Sequence, residues 1–164
     1  MKISFTVNDI PQPGGSKKAF MNPKTNRIVV TEDCAANAGW RASVIYSAKL
    51  AKAAGGLTAD HRMYGPLCLT IRFYMRRPGG HYGTGKNAGK VKKNAPVYHT
   101  TRPDLTKLTR STEDALTLAG IWGDDSQVAV QILHKLYAAT SFAEIEIEEI
   151  EITPQKPKEK THEN

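Results

Sequence analysis

Only two cysteines occur in the 164 residues, Cys34 and Cys68. Neither belongs to a CxxC pair or stands close to a histidine, which argues against a disulfide framework or a zinc site and reads as two buried or half-buried thiols. Aromatic residues make up 7% of the chain and form no stacking pattern of the RNP type, so a general RNA-binding module is the weakest nucleic-acid reading. No apolar run approaches the roughly 20 residues that span a bilayer. Met1-Lys2-Ile3-Ser4-Phe5 has no apolar stretch with a cleavage site, so a cytoplasmic location is the expectation. Acids are nearly missing from one long stretch: between Arg76 and Arg110, Asp104 is the one acid among nine Lys or Arg. From Glu144 onward the balance reverses, with seven acids and three lysines.

What is present is an ordinary amount of apolar surface (40% hydrophobic) and a net charge of +7. That suits one domain with one core, and a positive surface favours a polyanionic partner through counterion release. Lys2 to Val7 alternates in hydrophobicity, as a half-buried strand does. Pro11-Gln12-Pro13-Gly14-Gly15-Ser16 then breaks regular structure just before Lys17 and Lys18. Arg27-Ile28-Val29-Val30-Thr31 reads as a short strand, paired with Ala19-Phe20-Met21 through a turn at Asn22-Pro23. A helix follows, capped by Thr31 or Asp33, carrying Trp40, Val44, Ala48 and Ala51 at helical spacing and ending at Ala54 before Gly55-Gly56. Leu67 to Met75 alternates as a strand.

Arg76 to Thr101 reads as a long basic loop rich in Gly, Lys and Asn. Leu105 to Leu118 returns to helical spacing, with Asp104 at the N-cap position and Gly120 at the end. Gln127 to Tyr137 is a strand with Val128, Val130 and Ile132 on one face. Phe142 to Ile152 is another, with a bulge or break expected near Glu148-Glu149. Residues 153–164 read as a disordered tail. The expected fold class is α/β (α+β): a single domain over residues 1–152, with a mixed sheet and two main helices packed on it.

Gly80-His81-Tyr82-Gly83-Thr84-Gly85-Lys86-Asn87 nearly matches a P-loop. It ends in Asn87 where a hydroxyl is needed, and Arg77-Pro78 precede it where a strand should lead in, so nucleotide hydrolysis is rejected. The segment reads instead as a phosphate-contacting loop in which Lys86, Lys90, Lys92 and Lys93 bind backbone, or as a merely solubilising one.

Hydrolysis of a phosphodiester needs an activated water and stabilisation of extra negative charge, both of which carboxylate-held Mg²⁺ or Mn²⁺ supplies. Asp104 opens one helix, and Asp124-Asp125 opens the strand that follows it. The helix between them is roughly 20 Å long, so the two ends meet only if the chain runs back along it. Spacing alone leaves Asp104 open as a plain cap and Asp124-Asp125 open as a solvated turn.

Arg102-Pro103-Asp104-Leu105-Thr106-Lys107-Leu108-Thr109-Arg110, Asp114-Ala115-Leu116 and Gly120-Ile121-Trp122-Gly123-Asp124-Asp125-Ser126-Gln127-Val128 together resemble the RusA family of Holliday-junction resolvases. The usual run there is close to RPDLDNLLKALLDAL followed by DDSQ. The Arg76–Thr101 loop, with His81-Tyr82 and Ala95-Pro96-Val97-Tyr98-His99, is similar to the phage-type branch.

The resemblance implies a homodimeric endodeoxyribonuclease that cuts four-way DNA junctions with Mg²⁺ or Mn²⁺, in recombination and repair, in the host cytoplasm if phage-encoded. It implies Asp104, Asp125 and Arg110 as catalytic residues, Asp104, Asp125 and Asp124 toward the metal, and Lys17, Lys18, Arg102 and Lys107 with the loop lysines toward DNA. Two positions depart from the pattern. Thr106 stands where the family has its second aspartate, and Arg110 where it has a lysine, which keeps the charge but not the compact ammonium. A junction-binding protein with weakened catalysis is therefore the competing reading.

Overall fold

The computed structural model describes residues 1–14, 17–32 and 36–151. Its main sheet has four strands in the order β1 (Lys2–Val7), β6 (Phe142–Glu149), β4 (Leu67–Arg76), β5 (Val128–Ala138). β6 is antiparallel to both β1 and β4, whereas β5 lies parallel to β4 at the sheet edge. A parallel pair needs a crossover, and here α2 (Leu105–Leu118) provides it. β2 (Lys17–Asn22) and β3 (Arg27–Glu32) form a separate antiparallel hairpin. The architecture is a single α+β domain with a mixed sheet and two helices, as the alternating periodicities predict.

Both helices cover one face of the sheet. α1 (Asn37–Ala54) contributes Trp40, Val44 and Ala48; α2 contributes Leu108, Ala115 and Leu116. They meet Leu67, Leu69, Ile71 and Phe73 of β4 and Ile145 and Ile147 of β6, all fully buried. The spacing that placed these residues on one side of each element is what assembles the core. Gly56 and Gly120 follow the two helices with φ of 72° and 69°, the left-handed geometry that ends a helix at little cost only in glycine.

Three expectations change. Thr31 belongs to β3, not to a helix cap, and α1 begins after Ala36 with no side-chain cap; Asp33 and Cys34 lie outside the described residues. Val128 and Val130 do not share a face, because the β4–β5 register steps from Leu67↔Val128 to Cys68↔Val130. The extra residue, Ala129, makes a bulge that turns Val128 toward the core and leaves Val130 and Ile132 partly exposed. The break expected near Glu148-Glu149 is the end of β6 itself, since its register with β1 and β4 is continuous and Ile150 leaves to bond Pro66. Cys68 is a half-buried free thiol, as its isolation from other ligands suggests. The tail expected over 153–164 lies outside the described residues.

The basic loop is built rather than structureless. It contains 3₁₀ turns at Gly79–His81 and Gly85–Asn87, and Tyr98 bridges to Leu136 on the free edge of β5. His99 N–H donates to the Lys135 carbonyl at 2.9 Å and Tyr137 N–H to that of Val97 at 2.9 Å. The Tyr137 ring packs between His81 and His99, with the Arg77 guanidinium 5.3 Å from its centroid. A Cβ on Gly83 would stand 2.6 Å from the Asn87 carbonyl oxygen, so that glycine serves closure of the loop.

Candidate active site

Asp104 occupies the N-cap position of α2, yet its carboxylate makes no capping hydrogen bond. Instead Oδ2 lies 3.9 Å from Lys107 Nζ, and the side chain is 58% exposed. Lys135, on β5, reaches the same place from the sheet. Its Nζ donates to the carbonyls of Thr101 at 2.7 Å and Pro103 at 2.6 Å. Burial pushes the Lys135 ammonium below the ordinary lysine range, and the Asp104 charge opposes that shift. Asp104 is thus a carboxylate at a positive helix end with two ammonium groups nearby. Beside it opens a groove of about 600 Å³, lined among others by Pro11, Gln12, Met75, Arg102 and Lys107.

The Asp124-Asp125 end is built differently. Asp124 Oδ1 accepts from the Ser126 N–H at 2.9 Å and caps the 3₁₀ turn Asp125–Gln127, and bonds from Ser126 hold its carboxyl below the usual range. Gln127 completes the turn. Its Oε1 accepts from the Gly123 N–H at 2.8 Å, while Nε2 donates to the carbonyls of Met63 at 3.2 Å and Gly65 at 3.3 Å. Lys52, at 3% exposure, stabilises the approach to this turn from beneath. Its Nζ donates to the carbonyls of Gly120, Ala59 and His61 at 3.0, 2.8 and 2.6 Å. Burial lowers its ammonium pKa.

β5 retraces α2 in the opposite direction. Gln131 Nε2 donates to Glu113 Oε1 at 2.6 Å, and four residues later Lys135 meets Pro103. Asp125, ahead of Gln131, therefore sits toward the C-terminal half of α2, and its charge acts on half-buried Glu113. Burial first, then the charges of Asp125 and Asp114, push the Glu113 carboxyl above the ordinary range. Asp104 and Glu113 are about 13 Å apart along the helix axis at 1.5 Å per residue.

The fold thus brings Asp104 together with Lys107 and Lys135, and sets Asp125 where its charge acts on Glu113. Among the described residues, no group of three or more His, Cys, Asp and Glu is gathered as a metal cage. Arg110 is exposed on α2, and Arg102 and Lys107 line the groove. Lys86, Lys90 and Lys93 are exposed on the loop, but Lys92 Nζ donates to the Gly80 carbonyl at 2.8 Å and helps to hold the loop's shape. Lys17 and Lys18 open β2, and their side chains lie outside what is described.

Sequence reasoning missed Glu113, Lys135 and Lys52. Glu113 had one signal, a charged residue where the family run has an apolar one. The two lysines had none, because nothing local marks a lysine that will point inward.

No described helix is long and apolar enough to cross a membrane. Compared with known families, the chain matches the family model described as Endodeoxyribonuclease RusA over residues 13–148, most of its length. A comparison with curated proteins finds no match.

Proposed function

The chain belongs to the RusA endodeoxyribonuclease family, and from that premise we propose that it cuts four-way DNA junctions by metal-dependent hydrolysis, as a homodimer acting in recombination and repair. The observation that carries this reading is the family match over residues 13–148 together with the return of β5 along α2, which sets Asp125 on the side of Glu113. Burial first, and the Asp125 charge after it, disfavour the ionised Glu113 carboxyl, and a divalent cation would offset both. Mg²⁺ keeps several waters and commonly uses one or two protein carboxylates, so a pair fits it without a three-acid cage. Asp125 and Glu113 would hold the cation, which when bound supplies an activated water and polarises the phosphoryl oxygens.

This reading revises the roles expected of the other acids. Asp124 supports the turn through Ser126. Asp104, with Lys107 and Lys135 beside it, stays the second catalytic acid and faces the substrate groove. Arg110, Arg102 and Lys107 supply positive charge toward phosphates. Glu113 stands in for the carboxylate that Thr106 lacks.

The test is cleavage of a synthetic four-way junction with Mg²⁺ or Mn²⁺, with linear duplex as control. Asp125→Asn should cut about a hundredfold more slowly or worse while binding the junction nearly as well. Unchanged cutting by that variant defeats the assignment. The second reading, a junction-binding protein with weakened catalysis, is favoured by Thr106; clean binding by the unmodified chain without cutting under either metal would select it. A monomer bound to a junction, seen by light scattering, would remove the homodimer from the proposal.

A further inference from the structure

The groove beside Asp104 has walls that no catalytic role requires. Pro11 and Pro13, from the segment after β1, form one side; Met75 of β4, at 8% exposure, and Pro103 contribute other apolar surface. Arg102, Asp104 and Lys107 add charge, Gln12 an amide, and Ile10, 56% exposed, an apolar rim.

Both walls are fixed in advance. Gly14 N–H donates to the Lys107 carbonyl at 2.9 Å, and a Cβ on Gly14 would come within 3.0 Å of Ser111 Cβ, so this segment lies against α2. Asp9 Oδ2 accepts from Ser43 Oγ at 2.6 Å, which ties the same segment to α1. Opposite, Lys135 holds the Thr101 and Pro103 carbonyls. A preformed site avoids the entropy cost of ordering its walls on binding.

We propose that this groove seats one unstacked nucleotide base of the strand being cut. The inference rests on the endonuclease reading, which places DNA at Asp104. The volume of about 600 Å³ lies inside the ~300–1,000 Å³ range of small-molecule sites. Proline rings and a methionine thioether offer apolar, polarisable contact to the face of a base. Gln12 adds a polar element to the apolar part of the lining. Arg102 and Lys107 match the charge of the flanking phosphates, and Asp104 lies in the same lining, so a base held here would set the register of the strand that continues along α2 toward Asp125 and Glu113. The base must first leave its stack, which costs least where pairing is already disturbed, as at a branch point.

The test uses the full chain and a four-way junction in which 2-aminopurine is scanned across the nucleotides flanking the crossover. Without divalent cation, fluorescence should rise at one position as that base leaves the stack. Ile10→Glu and Gln12→Ala should suppress the rise at saturating protein. With metal, an abasic nucleotide at that position should slow single-turnover cutting about tenfold in the unmodified chain and add nothing further in Ile10→Glu. No rise at any position, or a rise and an abasic effect unchanged in both variants, overturns the proposal. A signal that fades as protein concentration increases means that a second copy covers the groove, and overturns it too. A rise that Ile10→Glu abolishes, in a chain that cuts nothing, keeps the base site and removes the nuclease reading.

Discussion

Asp104, at the N-terminus of α2, and Asp125, in the turn that follows its far end, are both singled out by the sequence motif, and they stand in opposite environments. At the N-terminal end Asp104 stands with Lys107 and Lys135, beside an open groove bounded by loops. Past the C-terminal half, Asp125 opens a turn tied by Gln127, Asp124 and Lys52, and its charge and that of Asp114 act on Glu113. One end concentrates cations around an acid, and the other concentrates acids. The difference teaches that a shared motif need not mean a shared electrostatic task. The first end suits a phosphodiester backbone and the second a cation, and the rigid α2 sets their spacing.

The sharpest way to break this contrast is at the two lysines that fix the ends. Lys52→Met leaves three carbonyls without their charged donor, so stability should fall by about 2–4 kcal/mol in urea unfolding. Lys135→Met removes two such bonds at the more open end and should cost about 1–3 kcal/mol, together with faster hydrogen exchange near His99 to Asp104. A greater destabilisation from Lys135 than from Lys52 would reverse the ranking of the two ends.

The loop sharpens the comparison on the DNA side. Neutralising Lys86, Lys90 and Lys93 should flatten the salt dependence of junction binding by up to about 0.9 for each phosphate that is no longer neutralised. Lys92→Gln should alter the loop's stability more than that slope, because Lys92 is engaged with Gly80. An unaltered slope in the triple variant refutes a backbone-binding role.

The smallest effect on stability is expected at Glu113. Its carboxyl pKa is raised in the folded chain, so its favourable contribution is complete below the ordinary glutamate value and is lost as pH rises through the folded value. Glu113→Gln should therefore be slightly more stable than the unmodified chain at neutral pH, by no more than about 1 kcal/mol. The gain should vanish in acid. Mg²⁺ should raise the melting temperature of the unmodified chain more than that of Glu113→Gln. Equal shifts would separate Glu113 from the cation.

The elements were readable from sequence because their causes are local. Ile3, Phe5 and Val7 alternate, Leu105, Leu108, Ala115 and Leu116 recur at helical spacing, and Gly56 and Gly120 stop the helices; the observed β1, Lys2–Val7, and α2, Leu105–Leu118, follow. The bulge at Ala129 was not readable, because it exists only in the pairing of β5 with β4. Nor was the shape of the basic loop, which depends on Tyr137 and on the free edge of β5, far along the chain from its first half.

Asp104 and Asp124 show the same division within the site. Both stand at cap positions, and residue type at that spacing cannot distinguish them. In the fold Asp124 spends an oxygen on Ser126, while Asp104 makes no capping bond and turns toward Lys107. Sequence by itself determined the elements, the mixed α+β architecture, the family and the aspartates to consider, since periodicity and short motifs are properties of neighbouring residues. Tertiary structure alone decided which carboxylates share an environment, which lysines turn inward and where the groove opens. Those depend on pairs such as Gln131 with Glu113, or Lys135 with Pro103, that only the return of β5 along α2 brings together.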